Sequence, residues 1–193
     1  VDGDPLGAGL DLVLGEEGTD GLRWPELNQF SGAVAADQLW AAMPRVESLR
    51  YLSWDRRATH AETVPAATVV AALRGAAAVQ VVDLSRADLE RQARWCDAVL
   101  VLTPRTVRGV LAAEHTVARC GAVPALTALT GINVADLEPR VLADATGMPC
   151  AATIAFDARV PQHLDDGTVL RRGRTTKHAK AVAALARVLE ELS

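Results

Sequence analysis

The chain has 193 residues, 20 of them basic and 24 acidic, for a net charge of −4. That length favours one domain burying roughly 70% of its unfolded surface, with no need of a disulfide or metal staple. Half the residues are apolar and 23% are charged, near the soluble average, and the net negative charge argues against the whole domain binding nucleic acid.

The longest apolar runs, such as 98–102, fall far short of the roughly 20 residues a bilayer-crossing helix needs. The opening Val-Asp-Gly-Asp carries no basic signal-peptide start. Cys96, Cys120 and Cys150 form no CxxC pair and read as reduced cytosolic thiols buried as small apolar groups. The four histidines show no metal-ligand spacing, and Lys177 and Lys180 are the only lysines. Val1 stands where a strand ends, so earlier sequence is expected before it.

Apolar segments alternate with helical patterns as in βαβ units, which predicts a parallel α/β domain over residues 1–193. Val1–Pro5 closes a first strand. Ser48–Trp54 has strand character and leads into a polar loop through Arg56, Arg57 and His60. Val64–Leu73 reads as a helix opened by Pro65, 78–84 as an apolar run ending in an acid, and 87–95 as helix. Asp97–Thr103 is the cleanest buried strand, apolar on both faces as central parallel strands are.

Pro104 is expected to start a long helix to Arg119, with Val107, Val110, Leu111 and Val117 at helical spacing. Val123–Leu129 is a weaker strand, and Val134–Thr146 a helix closed by Gly147. Cys150–Phe156 is the last strand. Thr175 or Thr176 caps a final helix whose stripe of Val182, Leu185, Val188, Leu189 and Leu192 reads as a core face.

Ligands of open parallel sheets sit at the carboxyl ends of strands. Three expected strand ends carry acids: Asp2 and Asp4, Asp83, and Asp157. An acid there either makes a turn or a cap, or holds magnesium through water and orients an attacking water. Gly7-Ala8-Gly9 lacks the third glycine of a dinucleotide fingerprint. Arg171, Arg172 and Arg174, with Lys177, His178 and Lys180 soon after, read as a solvated loop or as a patch for an anionic surface.

The stretch VDGDPLGAGLDLVLG resembles the switch I segment of the MinD/ParA family of deviant P-loop ATPases, with Asp2 and Asp4 as its paired acids and 10–15 as its continuation. Residues 21–25, Leu39–Pro44 and the run LRYLSWD from Leu49 to Asp55 are similar to the septum-site-determining proteins of actinobacteria, a CpaE-like branch. Val81–Arg86 matches a Walker B strand and the start of switch II, and the likeness runs to the terminal helix.

The resemblance implies a three-layer α/β/α fold of P-loop NTPase type, with the first strand and the phosphate loop lying before Val1. It implies that Asp4 positions the hydrolytic water, that Asp2 lies near magnesium and its waters, and that Asp83 is the Walker B acid in the metal's outer shell. Residues 84–88 would be switch II, and the loop with Phe156 and Asp157 would lie beside the adenine. ATP or ADP and magnesium are the implied cofactors of the full-length protein, with no tight binding expected of this chain without the phosphate loop.

Three roles follow from the resemblance: a nucleotide-gated homodimer regulating septum placement, a CpaE-like positioning factor for Flp/Tad pilus assembly, or a scaffold that keeps the fold without turnover. A cytoplasmic location follows, peripheral at the inner face of the membrane. Ser85, Arg86 and Ala87 stand where a DxxxG switch II carries its glycine, and 130–133 where many relatives carry an Asn-Arg pair.

Overall fold

The computed structural model describes residues 1–29, 35–54, 65–173 and 177–190. The expected loop through Arg56, Arg57 and His60, together with Asp55, Val64, Arg174, Thr175, Thr176 and Leu192, lies outside them. Contacts divide the chain into two units: Val1–Ala87 with Leu164–Val169, and Asp88–His163 with Leu170–Ser193.

In the first unit, β1 (Asp2–Gly3) pairs in parallel with β4 (Asp83–Leu84), Asp2 opposite Asp83. The ladder needs glycine at position 3, because a Cβ there would stand 2.5 Å from the Asp83 carbonyl oxygen. α1 (Leu10–Leu14) follows and ends on Gly15 in the left-handed region (φ 69°). Gly15 crosses the backbone of Gly167 so closely that neither position has room for a side chain.

A 3-10 turn over Trp24–Gln29 and α2 (Ala36–Ala42) come next. The strand expected over 48–54 is instead a short antiparallel hairpin, β2 (Arg45–Val46) with β3 (Leu49–Arg50). Its continuation 51–54 is extended: the Asp2 N–H donates to the Leu52 carbonyl (2.9 Å) and the Trp24 N–H to that of Ser53 (3.1 Å). α3 (Ala66–Leu73) begins just after Pro65, as expected. Leu27, Leu39, Leu52, Val69 and the stacked pair Trp24–Trp54, with ring centroids 5.3 Å apart, form the core. The run before Asp83 is largely outside the ladder, and Val79 and Val81 are exposed.

The second unit carries α4 (Leu89–Gln92), a 3-10 turn at Ala93–Trp95, and a parallel sheet in the order β5 (Val99–Pro104), β6 (Ala125–Gly131), β7 (Cys150–Ala155). β6 is the central strand, with Ala125–Leu129 all buried. β5, read from sequence as buried on both faces, buries Val99, Val101 and Thr103 but leaves Leu102 57% exposed. It pairs on one side only among the described residues.

The following helix, α5 (Val107–Arg119), starts three residues later than expected. Pro104 still belongs to β5, opposite Thr130, and the Thr106 hydroxyl accepts from the Gly109 N–H at 3.0 Å as a helix cap. Only Val110 and Val117 of the expected stripe are buried, while Val107 and Leu111 are exposed. α6 (Pro139–Thr146) is shorter than expected and ends on Gly147 as expected (φ 67°). It gives way to a loop over 132–138 tied by Asn133, whose side chain accepts from the Leu137 N–H at 2.8 Å. Outside the sequence reading lie α7 (Val160–Asp165) and α8 (Val169–Gly173).

α9 (Lys177–Glu190) packs on β7 and buries Leu185, with Val188 and Leu189 half-buried but Val182 56% exposed. All three cysteines are free thiols, and only Cys120 is fully buried. Among the described residues no helix is long and apolar enough to cross a membrane.

Candidate functional site

The acids of the first unit gather where β1 and β4 end side by side. Asp2 is 3% exposed, Asp83 is exposed, and Asp4 is half-buried at the start of the loop to α1. A buried carboxylate needs donors to replace water, and Asp2 finds them in its own chain. One oxygen accepts the Asp4 N–H (3.2 Å) and the other accepts the Leu10 N–H (3.2 Å). The Trp24 indole N–H donates to the Asp2 backbone carbonyl at 2.7 Å. Burial pushes the Asp2 carboxyl above the ordinary range, hydrogen bonds from the backbone of Asp4, Leu10 and Trp54 pull it back, and the charge of Asp83 adds to the rise.

Asp4 closes a tight turn: one carboxylate oxygen accepts the Leu6 N–H (3.1 Å) and its carbonyl accepts the Gly7 N–H (3.0 Å). The loop then reaches Gly9 (φ 95°), where a Cβ would lie 2.6 Å from a carboxylate oxygen of Asp11. A five-residue helix has too few internal bonds to stand by itself, and α1 has no side-chain cap from Gly9. Its first amides are met from afar, Leu10 by Asp2 and Asp11 by the Ser53 hydroxyl at 3.3 Å.

Behind this loop lies a buried polar cluster that the sequence did not single out. Asp11 is 4% exposed and accepts the Ser53 hydroxyl (3.1 Å), with the Arg23 Nε 3.9 Å from its second oxygen. Arg23 donates to the carbonyls of Thr19 and Gly21, both at 3.0 Å, and stacks over the Tyr51 ring, 5.4 Å from its centroid. The Tyr51 hydroxyl donates to the Glu16 carbonyl (3.2 Å), and burial raises its pKa. The readable signal was Asp11 itself, an acid between two leucines in a short apolar helix, where it must be paired.

Magnesium is the metal the resemblance implies, and the donor set tests it. Both Asp2 oxygens are occupied by amides, and among the described residues no group of three or more His, Cys, Asp or Glu side chains could hold a metal. The described residues do not supply a set of direct ligands, whereas the implied contact, through water to Asp2 and Asp83, needs none. Asp4 and Asp83 remain as carboxylates on the solvent side of the ladder.

The remaining expected site residues belong to the second unit. Phe156 is 51% exposed just past β7. Asp157 is gripped by Arg159, which donates Nε to one carboxylate oxygen (3.0 Å) and a terminal nitrogen to the other (2.7 Å), with its backbone N–H adding a third bond (3.0 Å). These bonds hold the Asp157 carboxyl far below the usual range. Arg171 and Arg172 are exposed on α8.

Parallel strands alternating with helices, with acids at the strand ends, define an α/β fold. The structure matches that of the MinD cell division protein of Aquifex aeolicus with a TM-score of 0.70, over 100% of this chain and 83% of that one, at 13% identity. In sequence, the chain is 31% identical over 186 residues to the uncharacterised proteins Rv3660c and MT3760 from two strains of Mycobacterium tuberculosis, covering 91% of its own length. It spans 51% of theirs, about half the length of the curated relatives it matches. No protein-family model matches the sequence.

Proposed function

We propose that this chain is the switch-bearing part of a bacterial regulator of septum placement, related to MinD and ParA. The observation that carries the reading is the parallel register of Asp2 with Asp83, Asp4 lying two residues on, in a chain that has the MinD fold over its whole length. Loop 4–9 and residues 85–87 leave neighbouring strand ends, so a group engaging one lies beside the other. That is the geometry a two-state surface needs. In this reading the full-length protein binds ATP, pairs with a second copy, and presents the altered loops to cell-division partners, with Arg171 and Arg172 meeting an anionic surface.

Turnover is a separate matter. Equilibrium dialysis of ATP and phosphate release by the natural gene product, beside Asp4→Asn and Asp83→Asn, test the reading. ATP binding that either variant weakens supports it. A wild type that retains no ATP, with septa correctly placed in cells lacking the gene, removes it. Phosphate release equal in all three proteins identifies the scaffold form.

A further inference from the structure

The acid expected nearest the metal has its carboxylate turned inward, and the consequence extends beyond one side chain. Asp2 joins the end of β1, the turn at Asp4 and the first amide of α1 in a single ring, through bonds of 3.2 Å to the N–H groups of Asp4 and Leu10. The ring spans eight residues of sequence and encloses a loop whose outer part, Leu6, Gly7 and Ala8, is exposed. Within it, the Asp4 carboxylate and carbonyl take the N–H groups of Leu6 and Gly7, so the direction of the Asp4 side chain is inherited from the amide that Asp2 holds. Ser53 adds a second remote cap at Asp11. Local capping at α1 reaches the Leu12 N–H, taken by the Asp11 carboxylate at 3.0 Å, while the N-cap residue is glycine and offers the Leu10 amide no side chain.

We propose that Asp2 is a latch and a positioning residue, not a ligand: its carboxylate caps α1 and closes loop 4–9, thereby aiming Asp4, and it takes no part in holding a cation. The inference deepens the switch reading and rests on it for the meaning of Asp4, but the latch is measured without nucleotide. Asp2 is 3% exposed with an amide on each oxygen, so an ion would reach it by drawing the carboxylate outward. A cation drawing Asp2 outward would uncap α1, so ligand contact at Asp2 and order in loop 4–9 are mutually exclusive.

Backbone amide exchange in the natural gene product separates the alternatives. Asp2→Asn keeps one acceptor oxygen and replaces the other by a donor facing a donor. The amides of Asp4, Leu6, Gly7 and Leu10 are then expected to exchange about tenfold faster, while the Asp83 amide of the β1–β4 ladder keeps its protection. Leu10→Pro removes one donor at the first helical position, where proline is tolerated, and leaves Asp2 intact. It is expected to speed exchange at Leu6 and Gly7 in the same way, which keeps the test open if Asp2→Asn does not fold.

Unchanged exchange in both folded variants overturns the latch. So does loss of the Leu10 amide's protection in the wild type on adding magnesium and ATP, since that is the signature of Asp2 leaving to bind metal. Retained protection with magnesium and ATP supports it. Failure to bind ATP overturns the switch reading alone, because the exchange comparison without nucleotide still decides the latch.

Discussion

Asp2 and Asp83 face each other across a two-residue parallel ladder, one of them 3% exposed and the other open to solvent. Burial, first, and the Asp83 charge, after the opposing amide bonds, raise the Asp2 pKa from its ordinary value of 3.8. A carboxyl whose folded pKa is raised contributes stability that is fully present below the unfolded value and is lost as pH rises through the folded one. Asp83→Asn removes the like charge, so the Asp2 titration midpoint should fall. Carboxyl-carbon NMR titration reads this directly. A midpoint unmoved by the substitution would show that the two charges do not interact.

The same ladder leaves no room at Gly3. A methyl there meets the Asp83 carbonyl at 2.5 Å, and backbone cannot yield as a flexible side chain does. Gly3→Ala should therefore cost about 2–3 kcal/mol, the scale of overpacking a tight site, and should release the Asp83 amide to exchange. Denaturant unfolding supplies the first number and hydrogen exchange the second. A loss under about 0.5 kcal/mol, the level of an ordinary surface change, would mean the two strands are not held this closely.

Asp11, Arg23, Ser53 and Tyr51 bring the remote segments 11, 23 and 51–53 together. Deleting Asp11 strands a buried guanidinium, and breaking a buried pair from one side costs about 3–5 kcal/mol. The 3.9 Å separation and Arg23's carbonyl partners place Asp11→Ala near the lower end of that range. Arg23→Lys keeps the charge but loses the planar stack on Tyr51 and the fork to two carbonyls, so it should destabilise as well. Urea unfolding of both variants tests the cluster. Two near-neutral results would reduce it to a surface feature.

The sequence carried the fold class in its alternation of apolar runs and helical patterns, and it carried the acids at strand ends in their spacing. What it could not carry was pairing order. β5 reads as central because its residues 99–102 are all apolar, yet β6, built from smaller residues, holds the middle, since alanine and threonine leave space for flanking helices. Helix starts failed for a related reason. Pro104 looks like a first-turn residue, but pairing with Thr130 keeps it in the strand and the cap passes to Thr106. The orientation of Asp2 was illegible too, because its partner Leu10 offers only a backbone N–H, which every non-proline residue has.

The Thr106 cap gives a clean measure of that correction. Thr106→Ala removes the acceptor for the Gly109 N–H and should cost about 1 kcal/mol, the usual value for losing a hydroxyl cap. Pro104→Ala, by contrast, should leave α5 in place, since the helix begins beyond it. Thermal unfolding of the two variants distinguishes them. A larger loss for Pro104→Ala than for Thr106→Ala would restore the proline as the helix start.

Asp157 and Arg159 allow a test by pH. Arg159 side-chain and backbone hydrogen bonds hold the Asp157 carboxyl far below 3.8. A depressed carboxylate contributes stability that is present above its unfolded pKa and lost as pH falls toward the folded value. Arg159 lies in solvent, where screening weakens such a pair, so the readout is the titration of Asp157 itself. Arg159→Ala removes the two side-chain bonds and the nearby charge, leaving one backbone N–H, and the midpoint should rise toward 3.8. Arg159→Lys should recover only part of the depression, because an ammonium supplies charge without the two-pronged grip. If Phe156 and Asp157 serve a nucleotide base, ATP should further perturb the Asp157 signal in the wild type. A signal indifferent both to Arg159→Ala and to ATP would deny the pair its grip and the loop its ligand.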